Sequence, residues 1–168
     1  MKKTNNLLCF LLSFAMLVSL LTQVAFAEST NITSEADFIS ALKSTETTEI
    51  NITGNVSVDA SIEKSIDINV KSGATLTLNF DEGENGISRV CNANIKVEDG
   101  ANVIFESKTL NDSKAKRYLI MNGSFTLESG ASAKISKKSN PVGGILFQGE
   151  FKNDGTLDCC EMNMGQPN

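Results

Sequence analysis

The chain has 168 residues with no histidine and no tryptophan, and its formal charge is −5. The lack of imidazole excludes a Ser-His-Asp triad, histidine general bases and most catalytic zinc sites. The acidic balance argues against a nucleic-acid partner, whose phosphates select the opposite sign.

Residues 1–27 read as an export signal. Lys2 and Lys3 precede a mostly apolar run from Leu7 to Leu21, and Ala25-Phe26-Ala27 offers the small-x-small site after which a signal peptidase cuts. The run is short and wrongly flanked for a membrane span, which favours release after Ala27 over anchoring. Cys9 lies inside the run rather than at its end, which argues against lipid attachment there. Cleavage leaves 141 residues with 13 basic against 20 acidic side chains, enough chain for one domain with its own core. No later segment is long and apolar enough to span a bilayer. The expected location is extracellular, either secreted or attached to the cell surface.

Residues 28–47 are expected to form a capping helix and a link. Thr33 or Ser34 supplies an N-cap, Asp37 lies in the first turn, and Ala36, Ile39 and Leu42, or Phe38, Ala41 and Leu42, give an apolar face at helical spacing. A polar link, 44–49, then leads into Ile50-Asn-Ile52 and Val56-Ser-Val58, read as the first strands.

Residues 48–158 carry a repeat. Ile68-Asn-Val-Lys-Ser-Gly-Ala-Thr-Leu-Thr-Leu78 recurs as Ile95-Lys-Val-Glu-Asp-Gly-Ala-Asn-Val-Ile-Phe105 and as Phe125-Thr-Leu-Glu-Ser-Gly-Ala-Ser-Ala-Lys-Ile135. A shorter, degenerate copy runs from Phe151 to Leu157. The glycines Gly73, Gly100, Gly130 and Gly155 are 27, 30 and 25 residues apart, a period typical of stacked coils. Within each copy two alternating strands flank a glycine corner that needs a positive φ. Superposition sets Ile68, Ile95, Phe125 and Phe151 in one column and Leu78, Phe105 and Ile135 in another. It puts Ala74, Ala101, Ala131 and Thr156 beside the corner. A third apolar segment closes each period: 62–64, 89–91, 119–121 and 145–147, with Asn122-Gly123 and Gln148-Gly149 as tight turns.

Three strands and three corners per period resemble the right-handed, pectate-lyase-like parallel β-helix of many secreted bacterial surface proteins and polysaccharide-active enzymes. The resemblance implies an all-β solenoid with a short N-terminal capping α-helix, and an adhesin-like or carbohydrate-directed role. No motif of the lyases or of the paired-carboxylate hydrolases can be placed, so no catalytic or cofactor-binding residue is assigned. Ser-Gly and Asp-Gly between alternating strands are also hairpin signals, and an antiparallel sandwich is the rival fold.

Three loops interrupt the stack at one corner. The first, 81–86, offers Asp81, Glu82 and Glu84 to Ca²⁺, although no bidentate glutamate follows at the spacing of a full calcium loop. The others, 106–117 and 136–144, carry Lys114, Lys116, Arg117, Lys137 and Lys138, suited to the carboxylates or sulfates of an acidic glycan. A solvated turn or loop is the plainer reading of each. The mature cysteines, Cys91, Cys159 and Cys160, are odd in number and read as buried or idle thiols, or as one disulfide through Cys91 or between chains. Residues 159–168 are an irregular tail with no evident seal for the last coil. The expectation is a fragment of a longer chain, or an end covered by a partner or by self-association. The function expected is a structural or adhesive surface module, with an extracellular glycan or a host or cell-surface protein as partner. The alternative is a polysaccharide-binding or polysaccharide-cleaving domain.

Overall fold

Alternation of apolar and polar residues governs the strands, because successive side chains leave a strand on opposite faces. The computed structural model describes residues 28–79, 88–107, 117–137 and 143–158. The expected export signal, Cys159, Cys160 and the rest of the tail lie outside them.

The described strands are β1 (Glu28–Ile32), β2 (Thr47–Ile52), β3 (Asn55–Val58), β4 (Asp67–Val70), β5 (Thr75–Asn79), β6 (Arg89–Cys91) and β7 (Asn94–Val97). They continue with β8 (Asn102–Ser107), β9 (Arg117–Met121), β10 (Phe125–Leu127), β11 (Ser132–Lys137), β12 (Gly143–Phe147), β13 (Phe151–Asn153) and β14 (Thr156–Asp158). One helix, α1 (Glu35–Lys43), lies between β1 and β2.

Every strand pairing among the described residues is parallel. The first sheet runs β1-β2-β4-β7-β10-β13, the second β3-β5-β8-β11-β14 and the third β6-β9-β12. An isolated parallel bridge, Ile62 to Cys91, extends the third sheet by one position. The chain thus passes from first sheet to second to third and back again, each strand lying beside its equivalent from the previous passage. Antiparallel hairpins at Ser72-Gly73 and Asp99-Gly100 are ruled out by these pairings.

Register fixes the core. Ile95 pairs with Ile68 on one side and Phe125 on the other, and Phe151 follows Phe125. Leu78, Phe105 and Ile135 share the second column expected, and all three are buried. Phe105, Phe125 and Phe147 meet between the sheets, with ring centroids 5.6–6.3 Å apart. Gly73, Gly100 and Gly130 adopt φ of +78°, +71° and +83°, where a Cβ is strained. Their backbones stack as well: Gly73 N–H donates to Gly100 O and Gly100 N–H to Gly130 O.

Three details differ from the sequence reading. Ile50-Asn-Ile52 is not the first strand, because Glu28–Ile32 already pairs in parallel with β2. Gly155 does not stand in the glycine column: Thr156 pairs with Ser132, which sets Gly155 beside Ala131 and Thr156 one place further on. Only Asp154 and Gly155 span this corner, where Glu128 to Ala131 span it in the preceding copy, and Gly155 has no positive φ. The strands also run into the expected loops, β8 reaching Ser107 and β11 reaching Lys137.

At the N-terminal end, Ser34 Oγ accepts from Asp37 N–H and donates to the Asp37 carboxylate, a reciprocal cap. Glu35 and Asp37 in the first turn and Lys43 in the last suit the helix dipole. Phe38 and Ala41 are buried as α1 packs on β1, β2 and β3.

Candidate functional site

The outer face of the first sheet is a polar lattice. Alternation turns Glu49 and Asn51 of β2, Asp67 and Asn69 of β4, and Asn94 and Lys96 of β7 away from the core, and register brings them side by side. Glu49 lies opposite Asp67, Asp67 opposite Asn94, Asn51 opposite Asn69, and Asn69 opposite Lys96. Neighbouring strands are about 4.8 Å apart, so each side chain reaches the next.

Hydrogen bonds run along the lattice across the strands. Asn69 Nδ2 donates to Asn51 Oδ1 (3.2 Å), and Asn51 Nδ2 donates to Ser29 Oγ (2.6 Å) and Glu49 Oε1 (3.2 Å). Asn94 Nδ2 donates to Asp67 Oδ1 (2.9 Å), while Ser124 Oγ and N–H both donate to Asn94 Oδ1. Glu49, Asp67, Asn69, Asn94, Lys96, Ser124 and Thr126 line an open depression of about 330 Å³. Lys96 is drawn to one flank by Glu128, 2.8 Å away, whose hydrogen bond and charge raise the lysine's pKa.

This arrangement can present fixed donors and acceptors to an extended polar ligand. Asn Nδ2 and Ser Oγ groups held in rows are pre-organised, which lowers the ordering cost of binding. The depression is open to water, whereas acid–base catalysis by a carboxylate pair benefits from a closed, dry site.

Asp81, Glu82, Glu84, Lys114, Lys116 and Lys138 lie outside the described residues. The backbones of Arg117 and Lys137 are described: Arg117 opens β9 opposite Gly143, and Lys137 ends β11 opposite Ser107. Both positions border the connections from the second sheet to the third. Among the described residues no three His, Cys, Asp or Glu side chains are grouped to hold a metal ion.

Cys91 is free and buried between Ile62 and Met121 in the third sheet. Burial pushes its thiol pKa from 9.0 up to about 11, so the free thiol is protonated at neutral pH. The outer face of the same sheet is the least polar: Val90, Ile120 and Leu146 are in register there, near Tyr118. Tyr118 is the chain's single tyrosine and is exposed.

Arg89 is a residue that the alternation pattern alone does not explain. It occupies an inward position of β6, in register with Leu119, and its Nη2 meets Asp59 Oδ1 at 2.6 Å. Among the described residues its Nε and Nη1 are buried without a hydrogen-bond partner. A buried cation with incomplete pairing is a net cost, and a volume-matched apolar side chain removes it. Arg89→Met is therefore expected to leave stability unchanged or raise it by about 1–4 kcal/mol. Asp59→Asn, which strands the guanidinium, should lower it by about 1–3 kcal/mol. Urea unfolding midpoints of the two variants check the opposite signs.

No protein-family model, curated protein or solved structure matches the chain. The functional reading therefore rests on the residues themselves.

Proposed function

We propose that the chain is a secreted or cell-surface module, a right-handed parallel β-helix with a structural or adhesive role that meets an extracellular glycan through the outer face of its first sheet. The observation that carries this reading is the in-register polar lattice of Glu49, Asp67, Asn69, Asn94 and Ser124 on a scaffold of parallel sheets. The cyclic order of the three sheets supports the solenoid. The strong preference of parallel crossovers for one hand supports its right-handedness. The export signal read in residues 1–27, with cleavage after Ala27, supports the location.

Catalytic cleavage of a polysaccharide is the second reading, favoured by one observation: Glu49 and Asp67 are carboxylates on adjacent strands at the edge of the depression. Glycan-array binding of residues 28–168, with and without Ca²⁺ and beside an Asn69→Ala/Asn94→Ala variant, tests both. Binding lost in the double variant and independent of Ca²⁺ is expected, without release of reducing ends. Equal binding by parent and variant would move the contact to the loop corner with its acidic and basic residues. Retention in the cytoplasm on cell fractionation would overturn the location.

A further inference from the structure

We propose that Asn122-Gly123, the turn from the third sheet to the first, is a self-modification site: the Asn122 amide converts to aspartate and isoaspartate when the stack opens there, and the folded stack holds the reaction off. The chemistry belongs to the dipeptide. The main-chain nitrogen of Gly123 attacks Asn122 Cγ, a C–N bond forms, and the Cγ–Nδ2 bond breaks. Ammonia leaves with the proton that the Gly123 nitrogen gives up. Water then opens the cyclic imide at Cγ, giving aspartate, or at the main-chain carbonyl, giving isoaspartate, with no change of oxidation state. Glycine favours the attack because no Cβ crowds its nitrogen and its backbone turns freely.

The stack sets this turn apart from its neighbours. Asn92, Asn122 and Gln148 follow Cys91, Met121 and Phe147, which are in register, so they hold equivalent positions in successive passages. Asn92 precedes Ala93, whose methyl group hinders the same attack, and Gln148 would have to close a larger ring. Of the three, only Asn122 joins a short amide to a following glycine. It is exposed, so water reaches it.

The fold restrains each atom that the reaction needs. The leaving Nδ2 of Asn122 donates to Asn92 Oδ1 at 2.8 Å. Asn92 Nδ2 donates in turn to Glu63 O at 2.7 Å, which fixes which end of the Asn92 amide faces Asn122. The attacking nitrogen of Gly123 gives its hydrogen to Cys91 O. The turn has no room to swing, because the Ala93 carbonyl fills the space beside Gly123 and the Gly123 carbonyl fills the space beside Gly149. The products fit no better. Isoaspartate lengthens the main chain by a methylene inside nested turns, and aspartate sets a carboxylate oxygen against Asn92 Oδ1, acceptor against acceptor. Ser124 is anchored to Asn94 Oδ1 through both its N–H and its Oγ, so conversion at Asn122 also disturbs the polar lattice of the first sheet.

Mass spectrometry of the peptide holding Asn122, from residues 28–168 incubated at neutral pH either folded or unfolded in urea, tests this. The mass gained on exchanging ammonia for water, with isoaspartate assayed by its carboxyl methyltransferase, reads the conversion. The unfolded chain should convert at the rate of a free Asn-Gly peptide. The folded chain should be at least about a hundredfold slower, because only the opened fraction reacts. Asn92→Ala, with an unchanged far-ultraviolet spectrum, should speed the folded chain roughly two- to tenfold by releasing the amide. Phe105→Ala, which leaves every group of the turn in place, should speed it further by raising the opened fraction. Equal rates in the folded and unfolded chain would overturn the inference, as would a folded rate that neither variant moves.

Discussion

Truncating Phe105 to alanine is expected to destabilise the protein by about 3–5 kcal/mol, the range for removing a fully buried phenylalanine from a core. Phe105 has no exposed surface and sits in the column formed by Val58, Leu78 and Ile135. It touches a neighbour from each of the other two sheets: Phe125 with a centroid distance of 5.6 Å and Phe147 edge-on at 6.3 Å. Removing the ring leaves a cavity where the sheets meet, and the backbone ladders on either side resist its collapse. Phe151→Ala is the control, because the same residue type at an exposed position forfeits less burial. Urea denaturation of both variants, with the slope of the transition held constant, measures the difference. Equal losses at the two positions would mean that the three sheets do not share one core.

The columns were legible in the sequence because register in a stack of parallel strands is set by alternation, and a one-residue slip would turn every apolar side chain outward. Three copies with an unbroken Ser/Asp-Gly-Ala corner therefore fix one another. The fourth copy is misaligned by one position because its corner lacks two residues while its glycine lies only one place early in the sequence. Deletion there preserves the Phe151 column and shifts everything after it. β1 was invisible for another reason. Glu28-Ser-Thr-Asn-Ile32 buries only its isoleucine, and what makes it a strand is the free edge of β2, a tertiary cause.

The candidate site divides in the same way. Asp67 and Asn69 are readable as outward-facing from their own copy of the repeat. Glu49 is not, because β2 precedes the first glycine corner and has no copy to align with. The Glu49–Asp67 juxtaposition thus emerges only from the pairing of β2 with β4. The charge clusters of the sequence lie instead in the loops, where residues differ most between copies. The Asn92 and Asn122 ladder was hidden as well: Asn122 Nδ2 donates to Asn92 Oδ1 across a sequence gap of 30, and single residues do not announce such a partner.

Gly123→Ala is expected to destabilise more than Gly73→Ala, although only Gly73 has a left-handed backbone. The sequence assigns Gly123 to a tight turn and Gly73 to a corner, and strain alone would rank Gly73 as the more sensitive. A Cβ on Gly73, at φ +78°, would meet nothing within 4 Å, so its cost is the conformational one, about 1–2 kcal/mol. A Cβ on Gly123 would run into the backbone carbonyl of Ala93 and lie 2.9 Å from Asn92 O. Gly149 repeats the situation against the carbonyl of Gly123, so the turns from the third sheet to the first nest directly on one another. Main chain cannot swing aside as a side chain does. Relief requires adjacent passages to separate, which would stretch the bonds from Asn122 N–H and Gly123 N–H to Cys91 O, now 2.8 and 3.4 Å. The loss should reach or exceed about 3 kcal/mol, the upper end of ordinary overpacking. At Gly130 the obstacle is the Asp99 carboxylate, a movable group, so Gly130→Val should fall between these two glycine variants, and all three should exceed Thr77→Val on an outward strand position. Thermal unfolding of the four variants gives the order, and a Gly123→Ala midpoint at or above that of Gly73→Ala would mean that the turns are not nested.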